Sequence, residues 1–165
     1  MSILLKIQAY LQKNNYYGVL IRSSDEYLNE YVPKESSLRY YVTQFDGSMG
    51  DAFITQNSAH LFVDGRYILQ AKEQATDYEI HVTKSGESIE KTWLDHLQNT
   101  VKKSDILLYD QSVMEISLFD KLNNFTLKAF DNTFTSFIGF NSFLKNNNYA
   151  YYTTIDSQRT YKING

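Results

Sequence analysis

Segments with strand and helix character alternate along most of this chain, and this alternation limits the folds that it can adopt. Short apolar or alternating runs predict strands near residues 16–21, 50–55, 60–64, 78–83, 106–109 and 125–130. Apolar residues at helical spacing predict helices over residues 2–14, 36–45, 66–75, 88–100 and 112–123, with a short helix or turn over 25–31 that Pro33 ends. The pattern predicts an α/β fold: a single domain with a mixed, mostly parallel β-sheet flanked by helices on both faces.

The end of the chain departs from this alternation. Residues 132–165 hold a run of phenylalanines, then a polar tail rich in Tyr and Thr. Two interpretations stay open for the tail, an extra strand or a poorly ordered end. We therefore predict a folded domain over residues 1–131 and a C-terminal extension over residues 132–165, whose structure the sequence leaves undecided.

Composition excludes several classes of protein. A chain of 165 residues with a net charge of −3 and mixed signs lacks the clustered basic surface of a general nucleic-acid binder, so no nucleic-acid partner is expected. No apolar run approaches the length that crosses a membrane, so no membrane partner is expected. The absence of cysteine and of a signal-peptide pattern predicts a cytoplasmic location.

Residues 44–67 contain the most informative local pattern. A Gly-containing turn over residues 46–50 precedes two short apolar runs, which predicts a β-hairpin entered through a Gly loop. Asp64-Gly65-Arg66-Tyr67 follows the second strand. Two interpretations are open for Arg66: a salt bridge to Asp64 or a solvated role, and a bidentate clamp for a ligand carboxylate or carbonyl. Tyr67 could pack or line a groove.

No catalytic centre is visible in the sequence. His60, His81 and His96 lack the spacing of a local metal site, so structural or surface roles and no bound metal are expected. The Gly loop is too short for a phosphate-binding Walker A loop and lacks its lysine. Ser48 is outside any GxSxG motif, and its hydroxyl is expected to satisfy loop backbone. Asp25, Glu26 and Glu30 are interpreted as helix-capping or solvated residues.

Several motifs in order resemble one known family. They are Ser24-Asp25-x-Tyr27-x-x-Glu30-Tyr31, Arg39, Phe45-Asp46-Gly47-Ser48-x-Gly50 and Asp64-Gly65-Arg66-Tyr67-x-x-Gln70-Ala71-x-x-Gln74. Together they resemble the N-terminal domain of aminopeptidase P, the Xaa-Pro aminopeptidase group of the creatinase/prolidase superfamily. The resemblance is closest over residues 22–75, looser over 76–131, and does not extend to 132–165.

This resemblance implies a non-catalytic domain of a two-part hydrolase. In that family a C-terminal catalytic domain binds two divalent metals, commonly Mn²⁺, which activate the water that cleaves the bond before proline. The resemblance implies that this chain binds no cofactor itself, has no catalytic or metal residues, and is inactive alone. Its partners would be its own catalytic domain, further copies in a homodimer or tetramer, and proline-containing peptides. Arg66 and Tyr67 are the expected substrate-binding residues at the rim of the cleft.

Two further hypotheses stand beside this one. The chain could be a stand-alone binding or interaction module that derives from the same domain and lacks peptidase activity. An unrelated small hydrolase using Asp25 or Glu30 has little support, because no base and nucleophile pair is visible.

Overall fold

A six-stranded sheet organises the computed structural model, which describes residues 1–23, 33–111, 116–153 and 158–162. The strands are β1 (Gly18–Ile21), β2 (Asp51–Thr55), β3 (Ala59–Val63), β4 (Glu79–Val82), β5 (Ile106–Tyr109) and β6 (Thr126–Ala129), in the spatial order β4-β3-β2-β1-β5-β6. β2 pairs antiparallel with β1 and β3, whereas the β3–β4, β1–β5 and β5–β6 pairs are parallel. The predicted mixed, mostly parallel sheet is confirmed.

Helices follow the predicted alternation. They are α1 (Ile3–Asn14), α2 (Leu38–Thr43), α3 (Ile68–Gln74), α4 (Ile89–Thr100), α5 (Ile116–Lys121), α6 (Asn132–Phe137) and α7 (Phe140–Asn146). The helices predicted over 36–45 and 66–75 are each shorter, and a 3₁₀ turn precedes each, at Lys34–Ser36 and Gly65–Tyr67. The helix or turn predicted over 25–31, and the first residues of the helix predicted over 112–123, lie outside the described residues. No helix in the described ranges is long and apolar enough to cross a membrane.

Both faces of the sheet are covered, as the alternation predicts. On one face, Ile7 and Leu11 of α1 belong to a cluster with Val19 and Ile21 of β1. These four side chains are fully buried. On the other face, Trp93 of α4 packs against the sheet in a second cluster, whose buried members also include Leu20, Phe53, Phe62, Leu97, Leu118 and Leu122. The alternation of Val19, Leu20 and Ile21 between the clusters is the two-residue period of a strand buried on both sides.

A buried carboxylate joins the second face to the edge of the hairpin. Asp51, 4% exposed at the start of β2, accepts hydrogen bonds from Trp93 Nε1 at 2.9 Å and from the backbone N–H of Ser23 at 3.1 Å. Arg22 Nε lies 3.5 Å from the same carboxylate, and Arg22 Nη2 lies 2.6 Å from Glu90 Oε1 in α4. This Asp51 network ties together the end of β1, the start of β2 and α4.

Residues after 131 contribute to the same core. Phe134, Ile138, Phe140 and Leu144 are buried in the cluster that contains α1, and the Tyr41 hydroxyl donates to the Ile138 carbonyl at 2.8 Å. The chain then forms a separate antiparallel pair, β7 (Tyr149–Thr153) and β8 (Gln158–Lys162). Helices and strands therefore fill a segment whose structure the sequence left undecided, while the domain boundary at residue 131 stays a prediction.

Candidate functional site

Several of the sequence motifs meet in space around the Gly loop. We call this group the Gly-loop cluster, and it consists of Arg39, Phe45, Asp46, Gly47, Ser48, Gly50, Tyr67, Gln70 and Gln74. α2 supplies one side of the cluster, and the turn before α3 together with α3 supplies the other. The residues Ser24, Asp25, Glu26, Tyr27, Glu30 and Tyr31, which carry the first motif and its acidic group, lie outside the described residues.

The Arg39 side chain forms hydrogen bonds to backbone carbonyl groups of the Gly loop. Its side chain is buried, with Nη2 donating to the Gly47 carbonyl at 2.5 Å and Nη1 donating to the Gly50 carbonyl at 3.4 Å. The guanidinium carbon lies 4.9 Å from the centre of the Phe45 ring. Burial lowers the pKa of Arg39 to about 10, so the side chain is still a cation at neutral pH. A side chain at Gly47 would overlap the Phe45 ring, which explains the glycine there.

Polar side chains from α3 hold the other side of the loop. The Asp46 backbone N–H donates to Gln74 Oε1 at 3.1 Å, and the Gln70 amide donates to the Asp46 carboxylate. Lys34 Nζ lies 2.9 Å from the same carboxylate, and its hydrogen bond is the main reason that the pKa of Asp46 is lowered. The Gln70 and Gln74 positions of the motif therefore fix the loop to the helix.

Tyr67 and Ser48 complete the cluster. Their hydroxyl oxygens lie 2.5 Å apart, and the Tyr67 ring packs edge-on against Phe45 with the centroids 5.9 Å apart. The expectation that the Ser48 hydroxyl satisfies loop backbone is wrong, because its partner is the Tyr67 side chain. The Tyr67 ring therefore packs against the loop, and its role in substrate binding stays a prediction.

Arg66 lies on the surface next to this cluster. Its side chain is 71% exposed, and its guanidinium forms a two-pronged pair with Asp64, through Nε at 3.2 Å and Nη2 at 2.9 Å. Asp64 also caps the 3₁₀ turn by accepting from the Arg66 N–H at 2.9 Å, and these bonds lower the pKa of Asp64. The salt bridge to Asp64 is therefore present, and a ligand carboxylate would share the guanidinium with it.

A cleft beside the Gly loop is smaller than a typical small-molecule pocket. It has a volume of about 100 Å³ and is lined by residues that include Lys34, Arg39, Tyr40 and Asp46. Small-molecule pockets are usually several hundred Å³ in volume. The Gly-loop cluster is thus a packed structural unit, with Arg66 as its exposed cation.

A second polar group lies on the face of the sheet that α4 covers. We call it the histidine cluster, and it consists of His60 in β3, Glu79 and His81 in β4, and His96 in α4. His60 Nδ1 lies 2.9 Å from His81 Nε2 and 3.3 Å from Glu79 Oε2. The His96 ring centre lies 4.5 Å from that of His60 and 5.3 Å from that of His81. His60, Glu79 and His81 bring potential metal-ligand atoms together.

Sequence spacing could not reveal the histidine cluster. His60 and His81 are 21 residues apart and meet because β3 and β4 pair in parallel across the α3 crossover, with His60 opposite Glu79. A search for histidines two or four residues apart detects only pairs within a single strand or helix. The available signal was Glu79-x-His81 on a predicted strand, since residues two apart on a strand share a face.

The histidine cluster predicts acid sensitivity of the fold. Burial, followed by repulsion from His96 and His81, lowers the pKa of His60 from 6.5 to about 4, while the Glu79 carboxylate opposes the shift. Between these values the unfolded chain binds more protons than the folded chain, so the free energy of unfolding falls as the pH drops from about 6.5 to about 4. Urea unfolding midpoints measured across this window with a chelator present will show this decline.

The control for this measurement is His60→Phe, which replaces the imidazole with an apolar ring. The variant is expected to show a shallower decline over the same pH window. The pKa values of Asp46 and Asp64 are lowered from 3.8, so these carboxylates add to the decline only toward the acidic end of the window, where the carboxyl groups of the unfolded chain begin to bind protons. A midpoint of the unmodified chain that is constant from about pH 6.5 to about pH 4 would contradict the assignment of a neutral, buried His60.

Comparison with known sequences gives one family. The profile described as Creatinase/Prolidase N-terminal domain matches residues 4–137. A Probable Xaa-Pro aminopeptidase P of Laccaria bicolor is 35% identical over 94 residues, which cover 57% of this chain and 14% of that protein. A protein of the same description from Chaetomium globosum is 29% identical over 128 residues, covering 76% of this chain and 20% of that protein. The chain spans a small part of the length of these relatives.

Solved structures share the fold. The X-prolyl aminopeptidase of Caenorhabditis elegans, described as a cytosolic enzyme with a di-nuclear active site, superposes with a TM-score of 0.69 at 18% identity, over 81% of this chain and 24% of that chain. The N-terminal domain of the cytoplasmic peptidase PepQ from Mycobacterium tuberculosis gives 0.60 at 21% identity, over 82% of this chain and 97% of that chain. At such identities the likeness shows the α/β fold alone.

Proposed function

Because the chain belongs to the creatinase/prolidase N-terminal domain family, we propose that it acts as the non-catalytic N-terminal domain of an Xaa-Pro aminopeptidase. Such an enzyme removes an N-terminal residue that precedes proline. The observation that carries the proposal is the family match over residues 4–137, which includes every residue of the Gly-loop cluster. Catalysis would belong to a separate domain with two divalent metals, Mn²⁺ in our proposal, for which this chain supplies no ligands.

The surface around Arg66 is the part of the domain that we assign to the rim of the substrate cleft. Arg66 presents an exposed cation that a peptide carboxylate or carbonyl could share with Asp64. Leu69, 75% exposed one turn along the chain, adds an apolar contact beside it. Tyr67 supports this surface by fixing the 3₁₀ turn to the Gly loop through Ser48. In this proposal the Gly-loop cluster fixes the backbone that carries Arg66, and the exposed guanidinium contacts the peptide.

The partners in this proposal are the catalytic domain of the same protein, further copies of the protein, and proline-containing peptides. We propose a homodimer or tetramer, in which the N-terminal domain of one subunit reaches the catalytic cleft. We also propose a cytoplasmic location, which the description of the C. elegans structural neighbour as a cytosolic enzyme supports.

We expect the 165-residue chain to be inactive as a peptidase. Incubated with Mn²⁺ and a peptide whose second residue is proline, it should release no N-terminal residue, because the proposal places both metals in another domain. Release is measured by chromatography of the free amino acid, with an authentic Xaa-Pro aminopeptidase as the positive control. Turnover that rises with chain concentration and disappears with a chelator would overturn the expectation.

Arg66→Ala in the full-length peptidase is expected to raise KM or lower kcat/KM several-fold, by removing an interaction of about 1 kcal/mol with the peptide. Steady-state kinetics on an Xaa-Pro peptide measure the change. Lys72→Ala is the matched control, since it removes an exposed cation from α3. Equal effects of the two substitutions, or kinetics unaffected by either, would remove Arg66 from the rim.

A stand-alone interaction module is the second candidate function. One observation favours it: the family match ends at residue 137, and the chain goes on to form α7 and the separate β7–β8 pair. The reading frame downstream of this sequence separates the candidates. A frame that continues into a domain with two Asp, one His and two Glu ligands supports the peptidase, and a stop codon supports the module.

A further inference from the structure

We propose that His60, Glu79 and His81 form a binding site for one divalent transition-metal ion with the preferences of Zn²⁺. The proposal does not rest on the peptidase assignment. It rests on the positions of three ligand atoms from β3 and β4, on the chemistry of those atoms, and on the contacts that orient the two rings.

The three ligand atoms are correctly spaced around a single point. His60 Nδ1, His81 Nε2 and Glu79 Oε2 are separated by 2.9, 3.3 and 3.9 Å. A circle through three points with these separations has a radius of about 2.0 Å, and zinc lies about 2.0–2.2 Å from imidazole nitrogens and carboxylate oxygens. One ion can therefore reach all three atoms with little rearrangement.

The donor set selects the class of metal. Two imidazoles and one carboxylate suit zinc and neighbouring transition metals, whereas Mg²⁺ and Ca²⁺ prefer oxygen donors throughout. Three protein ligands leave a coordination position for water or a small anion. The His96 ring lies next to the proposed ligands, with its centre 4.5 Å from that of His60.

Surrounding contacts hold both rings in place. His60 Nε2 bonds to Ser58 Oγ at 3.0 Å, which leaves Nδ1 directed to the other ligands. The His81 ring stacks on Phe62, with centroids 4.6 Å apart and planes 18° apart. A hydrogen bond or contact to the second side of a ligating histidine is the usual way in which proteins orient it. The ion would replace the proton between His60 Nδ1 and His81 Nε2, and the neutral imidazole that held this proton would carry it on its other ring nitrogen instead.

Calorimetric titration of the untagged, metal-free chain with ZnCl₂ tests the site. We expect saturable binding of one Zn²⁺ per chain, and a loss of affinity of at least about 10-fold in both His81→Gln and Glu79→Gln. These positions are chosen because His81 is partly exposed and the Glu79 side chain is 67% exposed, so both variants should fold, which circular dichroism will verify. Glu73→Gln, an exposed position on α3, is the matched control and should bind as the unmodified chain does.

Co²⁺ gives a second readout that a structural role of these residues would not produce. Replacement of Zn²⁺ by Co²⁺ should give visible absorption bands of a low-coordinate site, and these bands should vanish in His81→Gln. Absence of one-to-one Zn²⁺ binding, or equal affinity of the unmodified chain and both folded variants, would overturn the proposal. Neither measurement involves peptidase activity, so the result is independent of the function proposed above.

Discussion

Asp51→Ala is expected to lower the free energy of unfolding by about 3–5 kcal/mol, the largest single-residue effect that we predict. The substitution leaves Trp93 Nε1 and the Ser23 N–H without their acceptor in a buried environment, and it removes the carboxylate beside the Arg22 guanidinium. Removing one partner of a buried charged network is costly because the remaining groups are desolvated without compensation. Urea unfolding followed by circular dichroism measures the change.

Two further variants make this prediction specific. Asp51→Asn keeps the shape of the side chain and one acceptor oxygen, so its loss of stability should be smaller than that of alanine. Asp95→Ala removes an exposed carboxylate of α4 that pairs with Lys91, and it should change stability by about 0.5 kcal/mol or less. Equal losses for Asp51→Ala and Asp95→Ala would show that the buried network contributes nothing beyond an ordinary surface pair.

Arg39→Ala is expected to lower the free energy of unfolding by about 2–4 kcal/mol. The variant removes the guanidinium that bonds to the Gly47 and Gly50 carbonyls and packs on Phe45. Arg39→Lys should also destabilise the fold, because an ammonium group cannot reproduce the planar fork that reaches two carbonyls. Unfolding in urea can be followed through the fluorescence of Trp93, the single tryptophan, which is fully buried.

Arg66→Ala provides the contrast, since it removes the other arginine of the motifs. Its guanidinium is exposed, so the free energy of unfolding should change by about 0.5 kcal/mol or less. The two substitutions together separate a structural arginine from a surface arginine within one sequence signature. A stable Arg39→Ala variant, or an Arg66→Ala variant that unfolds as readily as Arg39→Ala, would contradict this division.

The sequence predicts a strand or helix well where the spacing of its apolar residues fits only one of the two. β5 spans the predicted residues, and β2 and β3 form the predicted hairpin, because short apolar runs between polar turns have few alternatives. The 3₁₀ turns before α2 and α3 were missed, since an i→i+3 turn and the first turn of an α-helix have similar apolar spacing.

Sites built by contacts between residues far apart in the sequence could not be predicted from local sequence patterns. Ser48 finds its partner 19 residues away, Asp51 meets Trp93 across 42 residues, and His60 meets His81 across 21. Each contact is set by strand register and helix placement, and neither is encoded in the spacing of neighbouring residues. For Arg66, the sequence was compatible with a salt bridge or a ligand clamp. The structure shows the salt bridge to Asp64, and the guanidinium is still exposed.

The position of β4 gives the histidine cluster a consequence for the solubility of the chain. β4 is an edge strand and one of the least buried in the sheet, whereas its neighbour β3 is buried along its whole length. If β4 detached, the backbone of β3 would be presented as a template for pairing with another molecule. The contacts of His60 with Glu79 and His81 link β3 to β4, so we expect the side chains that gather ligand atoms to oppose this detachment as well.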